Sequence, residues 1–146
     1  MTRSALVDRP IDAATLVAEV SATDCGAISL FLGTVRDTND GREVEGIDYT
    51  AYAAMAEAEL ARIVAEAHEQ FGVTALVVEH RIGTLSLGDV SVGIAAAHAH
   101  RAAALDSVRY VIEEIKKRVP IWKLEHYADK TRSWVDPTAR HVEAST

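Results

Sequence analysis

The chain of 146 residues contains one cysteine, Cys25, and no apolar stretch long enough to cross a lipid bilayer. A lone cysteine excludes an internal disulfide, and it leaves no second thiol for a metal knuckle or a redox pair. Residues 1–10 lack the basic region, apolar region and small-residue cleavage site of an export signal. These absences predict a soluble globular protein of the cytoplasm.

Repeats, low-complexity runs and linkers rich in proline, glycine or serine are also absent. A chain of 146 residues suits one domain, which can bury about two-thirds of the surface of its extended form. We therefore predict a single domain over residues 1–146, with flexible tails at about 1–10 and 137–146.

Basic charge is scarce overall but concentrated in one segment. The net charge of −7 argues against nucleic acid or an anionic membrane as a general partner. Residues 101–123 nevertheless hold three more basic than acidic side chains. Such a segment favours a small anionic ligand, although a solvated basic helix face has nearly the same signature.

Hydrophobic spacing and capping residues predict three helices, at 13–20, 53–71 and 101–119. Strand patterns predict five strands, at 26–36, 43–52, 74–82, 89–98 and 121–127. In this interpretation residues 43–52 return beside 26–36 across a polar loop, and residues 83–88 form a turn. Adjacent strands between helices indicate an α+β sandwich, with helices covering one face of a mainly antiparallel sheet.

The segment His98-Ala99-His100-Arg101 lies where a predicted strand meets the start of a predicted helix. Free backbone N–H groups and the helix dipole favour an anion there, and His100 and Arg101 add donors, so a phosphate fits. Packing of His98 in the sheet, with Arg101 solvating the helix start, explains the segment about as well. A zinc site on the two histidines needs a third ligand from Cys25, His80 or a carboxylate, and the spacing does not supply one.

Lys116 and Lys123 lie on either side of Pro120, the first at a helix end and the second in the strand that follows. Two ammonium groups that converge on a partly desolvated pocket repel each other, which lowers the pKa and makes one available as a base or nucleophile. Arg36 follows a strand end, three residues after Gly33, where it can contact a phosphate. A solvated basic surface is the alternative interpretation of these residues.

Five stretches occur in a fixed order along the chain: Phe31-Leu32-Gly33-Thr34-Val35-Arg36, His80-Arg81-Ile82-Gly83 with Gly88-Asp89, Ala99-His100-Arg101, Lys116-Lys117-Arg118-Val119-Pro120-Ile121-Trp122-Lys123 with Glu125, and Trp134-Val135. Together they resemble the large, catalytic subunit family of molybdopterin synthase over nearly the whole chain, from Gly26 to Asp136. No stretch is diagnostic alone, but five in order with family-like spacing are specific.

The resemblance implies that cyclic pyranopterin monophosphate is converted to molybdopterin by sulfur from a small ubiquitin-like subunit. That subunit carries a thiocarboxylate on its C-terminal glycine and inserts its tail into the large subunit. No cofactor is implied, because the partner brings the sulfur. The implied fold is an α/β hammerhead with an additional antiparallel sheet, and the implied assembly is a homodimer within a heterotetramer.

Matched position by position, two residues fall on the family's catalytic lysines: Lys116 and Lys123. Three fall on its pterin and phosphate contacts: Arg36, His100 and Arg101. Four more line the substrate side of the implied site: Glu125, Thr34, Val35 and Leu124. Where the family has a C-terminal arginine that reaches into the neighbouring protomer's site, this sequence has Thr138, with Arg140 two residues beyond.

Two functions from other classes fit parts of the same pattern. One is a non-catalytic scaffold whose basic groove binds an acidic peptide. The other is a zinc hydrolase that uses His98 and His100. Formation of a dithiolene product separates the first from the synthase, and elemental analysis of the purified protein tests the second.

Overall fold

The structure is a computed structural model that describes residues 1–135 and 141–144. Within those residues the chain forms ten strands: β1 (Thr2–Val7), β2 (Ala27–Thr34), β3 (Thr38–Asn39), β4 (Arg42–Ala51), β5 (Ala75–Arg81), β6 (Gly83–Ser86), β7 (Val90–His98), β8 (Ile121–Tyr127), β9 (Arg132–Val135) and β10 (His141–Ala144). It also forms three helices: α1 (Ala13–Val20), α2 (Ala53–Phe71) and α3 (Arg101–Arg118). The three predicted helices are confirmed to within one residue.

Four strands form the first sheet, in the order β1-β5-β7-β2. β1 runs parallel to β5, and the other two pairs are antiparallel. Residues 2–7 are therefore a paired strand, although the sequence analysis assigned them to a flexible tail. The strand was missed because its partner β5 lies some seventy residues away and its own residues show little hydrophobic alternation.

The helices cover both faces of the first sheet, which corrects the prediction of a single covered face. On one face α2 and α3 bury Leu60, Ile63 and Val111 in the main core. On the other face α1 buries Leu16 and Val20 in a smaller core. The first sheet is thus an inner layer that is apolar on both sides.

The helix ends follow the local chemistry that predicted them. The side chain of Asp12 accepts a hydrogen bond from the backbone of Ala14 at 3.2 Å and caps α1. Gly72 ends α2 in the left-handed conformation, with φ of 65°. Pro120 follows the end of α3 and directs the chain into β8.

The second sheet has the order β10-β9-β8-β4-β3, with β6 beside β4 on the same side as β3. β4 lies at its centre and pairs antiparallel with β8. β4 therefore does not return beside β2, as the sequence predicted, because the chain leaves the first sheet after β2 and starts a new hairpin. Residues 83–86, predicted as a turn, form β6 and pair with β4.

The α+β class and the additional antiparallel sheet are confirmed. The two sheets share the main core, in which Val78 and Ile94 of the first sheet pack with Ile47 and Tyr127 of the second. The junction between the sheets is where β2 ends, α3 ends and β8 begins.

Candidate functional site

A cavity of about 420 Å³ lies at this junction, between the end of β2, the middle of β4, the last turns of α3 and β8. We call it the lysine cavity. Its polar lining consists of Thr34, Arg36, Asn39, Tyr49, Ser91, Lys116, Lys123 and Glu125, and its apolar lining consists of Phe31, Gly33, Val44, Ile47, Val92 and Ile112. Residues far apart in the sequence thus meet around one space.

Lys116 reaches the lysine cavity from the last turn of α3. Ile112, one turn earlier, lines the same wall, as expected for positions four apart on a helix. Burial and the neighbouring Lys123 both lower the pKa of Lys116. Lys117, by contrast, points to solvent and forms an ion pair with Glu114 at 3.3 Å.

Lys123 and Glu125 enter from β8. Strand alternation directs both side chains to the same face, and the Lys123 Nζ lies 3.3 Å from Glu125 Oε1. Glu125 is only 1% exposed. Its carboxylate also accepts a hydrogen bond from the Tyr127 hydroxyl at 2.9 Å. The sequence thus places a buried carboxylate directly beside a cavity lysine.

Arg36 is linked to this carboxylate through Asn39. The Arg36 guanidinium donates to Asn39 Oδ1 at 3.1 Å. The Asn39 Nδ2 donates to both oxygens of Glu125, at 2.9 and 2.8 Å. One amide therefore joins an arginine at the cavity rim to the carboxylate beneath it.

Asn39 was missed by the sequence analysis, although a signal for it exists. Asn39 pairs with Arg42 across a two-residue turn, and the turn residues Asp40 and Gly41 have positive φ of 50° and 76°. An Asp-Gly pair is a strong signal for a tight hairpin. Interpreting the segment as a polar loop concealed the strand that presents Asn39.

The end of β2 shapes one wall of the lysine cavity. The pairing of β2 with β7 shifts register between Gly33 and Thr34. A Cβ on Gly33 would lie 2.7 Å from Val92 Cγ1, so a larger residue here would have to displace the Val92 side chain. The Ser91 hydroxyl donates to the Gly33 carbonyl at 3.2 Å, and the bulge turns Thr34 towards the cavity.

Tyr49 and His80 form a buried pair next to the cavity. Their rings meet edge to face, with centroids 5.3 Å apart, and Tyr49 itself lines the cavity. Burial lowers the pKa of His80 to about 4, with a smaller contribution from the charge of Lys116. The His80 Nδ1–H donates to the Arg81 carbonyl at 2.9 Å. His80 is therefore a neutral packing group at neutral pH.

Five of the nine predicted site residues meet at the lysine cavity: Thr34, Arg36, Lys116, Lys123 and Glu125. The side chains of Val35 and Leu124 do not line it. Val35 is buried in the main core, and strand alternation turns Leu124 to the face of β8 opposite Lys123. Thr138 and Arg140 lie outside the described residues.

His100 and Arg101 lie at the other end of α3 from Lys116. Fifteen residues of helix separate Arg101 from Lys116, about 22 Å at roughly 1.5 Å per residue. The backbone N–H of His100 donates to His98 Nδ1 at 2.9 Å, which orders this end of the helix. Within one chain these two residues therefore do not reach the lysine cavity.

Other features leave the lysine cavity as the best candidate site. Over residues 1–135 and 141–144, no group of three or more histidine, cysteine, aspartate or glutamate side chains could hold a metal ion. No helix in that part of the chain is long and apolar enough to span a membrane. A depression of about 400 Å³ around Trp122 and Trp134 is mainly aromatic and contains none of the predicted site residues.

The lysine cavity is suited to an anionic ligand and to proton transfer. Three cationic side chains, Arg36, Lys116 and Lys123, face one carboxylate, Glu125. An anion of the ligand would balance the excess positive charge. A lysine with a lowered pKa can exchange a proton near neutral pH more readily than an ordinary lysine.

The chain is similar to known proteins in sequence and in structure. The family model described as "MoaE protein" matches residues 6–118. A Bos taurus protein named molybdopterin synthase catalytic subunit is 44% identical over 110 residues, which is 75% of this chain and 58% of that protein. The chain thus spans a little over half the length of this relative.

Solved structures give the same family likeness over a larger share of the chain. The crystal structure of molybdopterin synthase from Staphylococcus aureus matches with a TM-score of 0.84 and 37% identity, covering 90% of this chain and 95% of that one. A chain from a complex of subunits 1 and 2 of the molybdopterin-converting factor of Helicobacter pylori matches with a TM-score of 0.72 and 23% identity, covering 97% and 89%. This second likeness concerns the fold.

Proposed function

The chain belongs to the MoaE protein family, and we propose that it is the catalytic subunit of a molybdopterin synthase. In this proposal it transfers sulfur from the C-terminal thiocarboxylate of a small ubiquitin-like subunit to cyclic pyranopterin monophosphate. The product is the dithiolene of molybdopterin. Relatives named molybdopterin synthase catalytic subunit support the assignment.

The observation that carries the proposal is the convergence of Lys116 and Lys123 on one cavity that also holds Arg36. The substrate carries a phosphate, which matches the excess of cationic side chains. No cysteine lines the cavity, and Cys25 packs with the small core near α1. A thiocarboxylate brought by a partner supplies the sulfur that the cavity lacks, so the reaction needs no further cofactor.

The cavity residues suit the steps of such a transfer. A dithiolene holds two sulfurs, so the transfer occurs twice, each time from one thiocarboxylate. The sulfur attacks a pterin side-chain carbon and replaces a carbon–oxygen bond, and loss of one such bond opens the cyclic phosphate. Water then hydrolyses the acyl–sulfur bond, which leaves the sulfur on the pterin and releases the small subunit as a carboxylate. Each step develops negative charge or moves a proton, and two lysines can stabilise the charge and relay the protons. Arg36 and Thr34 are assigned to binding the substrate. We place this activity in the cytoplasm, where a free thiol such as Cys25 stays reduced.

We further propose a homodimer within a heterotetramer, in which His100 and Arg101 serve the cavity of the neighbouring protomer. A two-fold axis that sets two copies of α3 antiparallel brings the start of one helix beside the end of the other. β2, which packs against α3, is the edge strand of the first sheet and exposes Ile28 and Leu30. An exposed apolar edge of this kind favours pairing with a second copy.

The catalytic assignment is tested by alanine variants of three lysines. The assay mixes each variant with thiocarboxylated small subunit and cyclic pyranopterin monophosphate, and measures the dithiolene product as its fluorescent oxidised form. Lys116→Ala and Lys123→Ala should each lower the rate by about two to four decades, as for loss of a general acid or base.

Lys117→Ala is the matched control, because Lys117 is 68% exposed and points away from the cavity. It should keep wild-type activity and shift stability by no more than ~0.5 kcal/mol. Activity retained in the Lys116 and Lys123 variants, or lost equally in the Lys117 variant, contradicts the assignment.

The shared site is tested by mixing two impaired variants, one with weakened substrate binding and one without turnover. Arg101→Ala should weaken substrate affinity by about one to two decades, and Lys116→Ala should abolish turnover. After subunit exchange between equal amounts of the two variants, about half of the dimers are mixed, and each mixed dimer carries one intact site out of two. About a quarter of the wild-type activity should therefore return at substrate concentrations below the KM. No recovery, or a monomer mass by light scattering, contradicts the shared site.

A further inference from the structure

Asn39 is the only asparagine of the chain, and both ends of its amide are used at the lysine cavity. Its carbonyl oxygen accepts from Arg36 at 3.1 Å, and its nitrogen donates to the two oxygens of Glu125 at 2.9 and 2.8 Å. Glu125 in turn lies 3.3 Å from Lys123. A single side chain therefore connects an arginine at the rim with a carboxylate that faces a lysine.

We propose that Asn39 is a positioning residue for the sulfur-transfer site, an inference that rests on the function proposed above. Asn39 holds the Arg36 guanidinium where it can contact the phosphate, and it orients the Glu125 carboxylate towards Lys123. It acts through these neighbours and forms no bond with the reacting atoms.

The chemistry of this position favours asparagine over its close relatives. One group must accept from a guanidinium and donate to a carboxylate at the same time, and a short primary amide does both. Aspartate keeps the acceptor for Arg36 but turns an acceptor towards Glu125. Alanine removes both contacts and leaves the buried carboxylate of Glu125 with fewer donors, which is costly at a buried site.

The backbone around Asn39 holds the amide in place. Asn39 ends β3 and pairs with Arg42, and the two turn residues between them adopt the left-handed conformation that a tight hairpin needs. Glu125 is held from the other side by the Tyr127 hydroxyl at 2.9 Å. Strands thus fix the positions of both Asn39 and Glu125. If the amide is replaced, the neighbouring side chains cannot easily move to restore the lost contacts.

The Asn39→Asp variant separates a positioning role from a purely structural one, because only the positioning role predicts that activity depends on pH in a new way. Two carboxyl groups less than 3 Å apart cannot both stay ionised easily, so they share one proton as the pH falls. The shared proton restores a donor between residues 39 and 125. The charged and titratable groups that face this pair are Arg36, Arg42, Tyr49, Lys116, Lys123 and Tyr127.

The experiment measures kcat/KM against pH for the wild type, Asn39→Asp, Asn39→Ala and Thr38→Ala. Thr38 is the exposed neighbour in the same two-residue strand, and its variant should stay within about twofold of the wild type at every pH. Asn39→Ala should lose about one to two decades throughout, as expected for misplaced binding and catalytic groups. Asn39→Asp should lose as much at pH 8 and regain about tenfold or more by pH 6.

A second measurement does not depend on turnover. Carbon NMR of the side-chain carboxyl of residue 125 in Asn39→Asp should show uptake of a proton over the same pH range in which activity returns, and the spectra of Thr38→Ala should match those of the wild type. An Asn39→Asp profile parallel to that of the wild type, or a carboxyl that does not titrate, overturns the inference. An inactive wild type with an active small subunit rejects the proposed function instead, and the NMR titration still decides whether Asn39 holds Glu125.

Discussion

Two buried glutamates of this protein are held in opposite ways. Glu79 on β5 is 3% exposed, and it accepts from Arg3 at 2.9 Å and from Arg9 at 2.8 Å. Glu125 on β8 is 1% exposed, and its partners are the Asn39 amide, the Tyr127 hydroxyl and one lysine. The first carboxylate is held by two fixed cations and the second mainly by neutral donors.

The difference separates a structural network from a binding site. Burial acts to raise the pKa of Glu79, but the hydrogen bonds from Arg9 and Arg3 outweigh it, and the pKa lies below its ordinary value. Arg3 also pairs with Glu19, so the arginines around Glu79 already have carboxylate partners. At the lysine cavity three cations face one carboxylate. A site for an anionic ligand is therefore indicated where cationic side chains outnumber their carboxylate partners, and not wherever cationic side chains occur.

The largest predicted difference between the two networks is in turnover, after the charge of each glutamate is removed in turn. Glu125→Gln should lower kcat/KM by about two decades, because only one atom of the new amide can still accept from Asn39 and because Lys123 loses its ion pair. Glu79→Gln should stay within about twofold of the wild type, since it faces α1 on the other side of the first sheet. Equal losses of kcat/KM in the two variants would abolish the distinction between the networks.

A smaller effect concerns His80, which follows Glu79 on β5 but points to the opposite face. Its pKa of about 4 lies below the ordinary value of 6.5, so the unfolded chain takes up the proton before the folded one does. Stability contributed by neutral His80 is therefore present above pH 6.5 and is lost as the pH falls towards 4, by about 2 kcal/mol between pH 7 and pH 5.

His80→Asn checks this prediction, because asparagine keeps a donor for the Arg81 carbonyl and does not titrate. The variant should be less stable at pH 7, but its unfolding free energy should fall less steeply between pH 7 and pH 5 in urea titrations. The same slope in both proteins would show that other groups cause the loss of stability in acid.

The smallest predicted effect is the stability change in Glu79→Gln. The variant loses charge-assisted hydrogen bonds from two partly exposed arginines, so solvent screening limits the cost to about 1 kcal/mol. Urea unfolding at pH 7 measures it. Glu19→Gln is the matched control and should cost less, because Glu19 is more exposed and, among the residues that the structure describes, its ion pair is with one arginine, Arg3. A larger loss for Glu19→Gln would show that the burial of Glu79 matters little.

Local chemistry made much of the fold predictable. Helical spacing and the stop at Gly72 gave the bounds of α2, and Pro120 separated α3 from β8. The same local signals put Lys116 and Lys123 on either side of one turn, so their convergence could be expected. Each of these features depends on residues that are close in the sequence.

Pairing between distant segments could not be predicted in the same way. No residue near β4 indicates that β4 pairs with β8 and not with β2. Either partner could accept and donate the backbone hydrogen bonds of β4 and match its buried face. The Asn39 contact with Glu125 spans 86 residues and needs that pairing first. The length of the predicted helix already indicates that Arg101 and Lys116 lie far apart. The resemblance to the family nevertheless led us to predict both residues in one site.

The position of β4 at the centre of the second sheet also bears on how the chain folds during synthesis. Its long partner β8 begins at Ile121, so a growing chain makes the β3–β4 hairpin well before β8 is available to pair with β4. The first sheet can assemble once β7 has left the ribosome, whereas the lysine cavity must wait for Lys123 and Glu125. We therefore expect the working site to be among the last parts of the nascent protein to form, after most of the core has been buried.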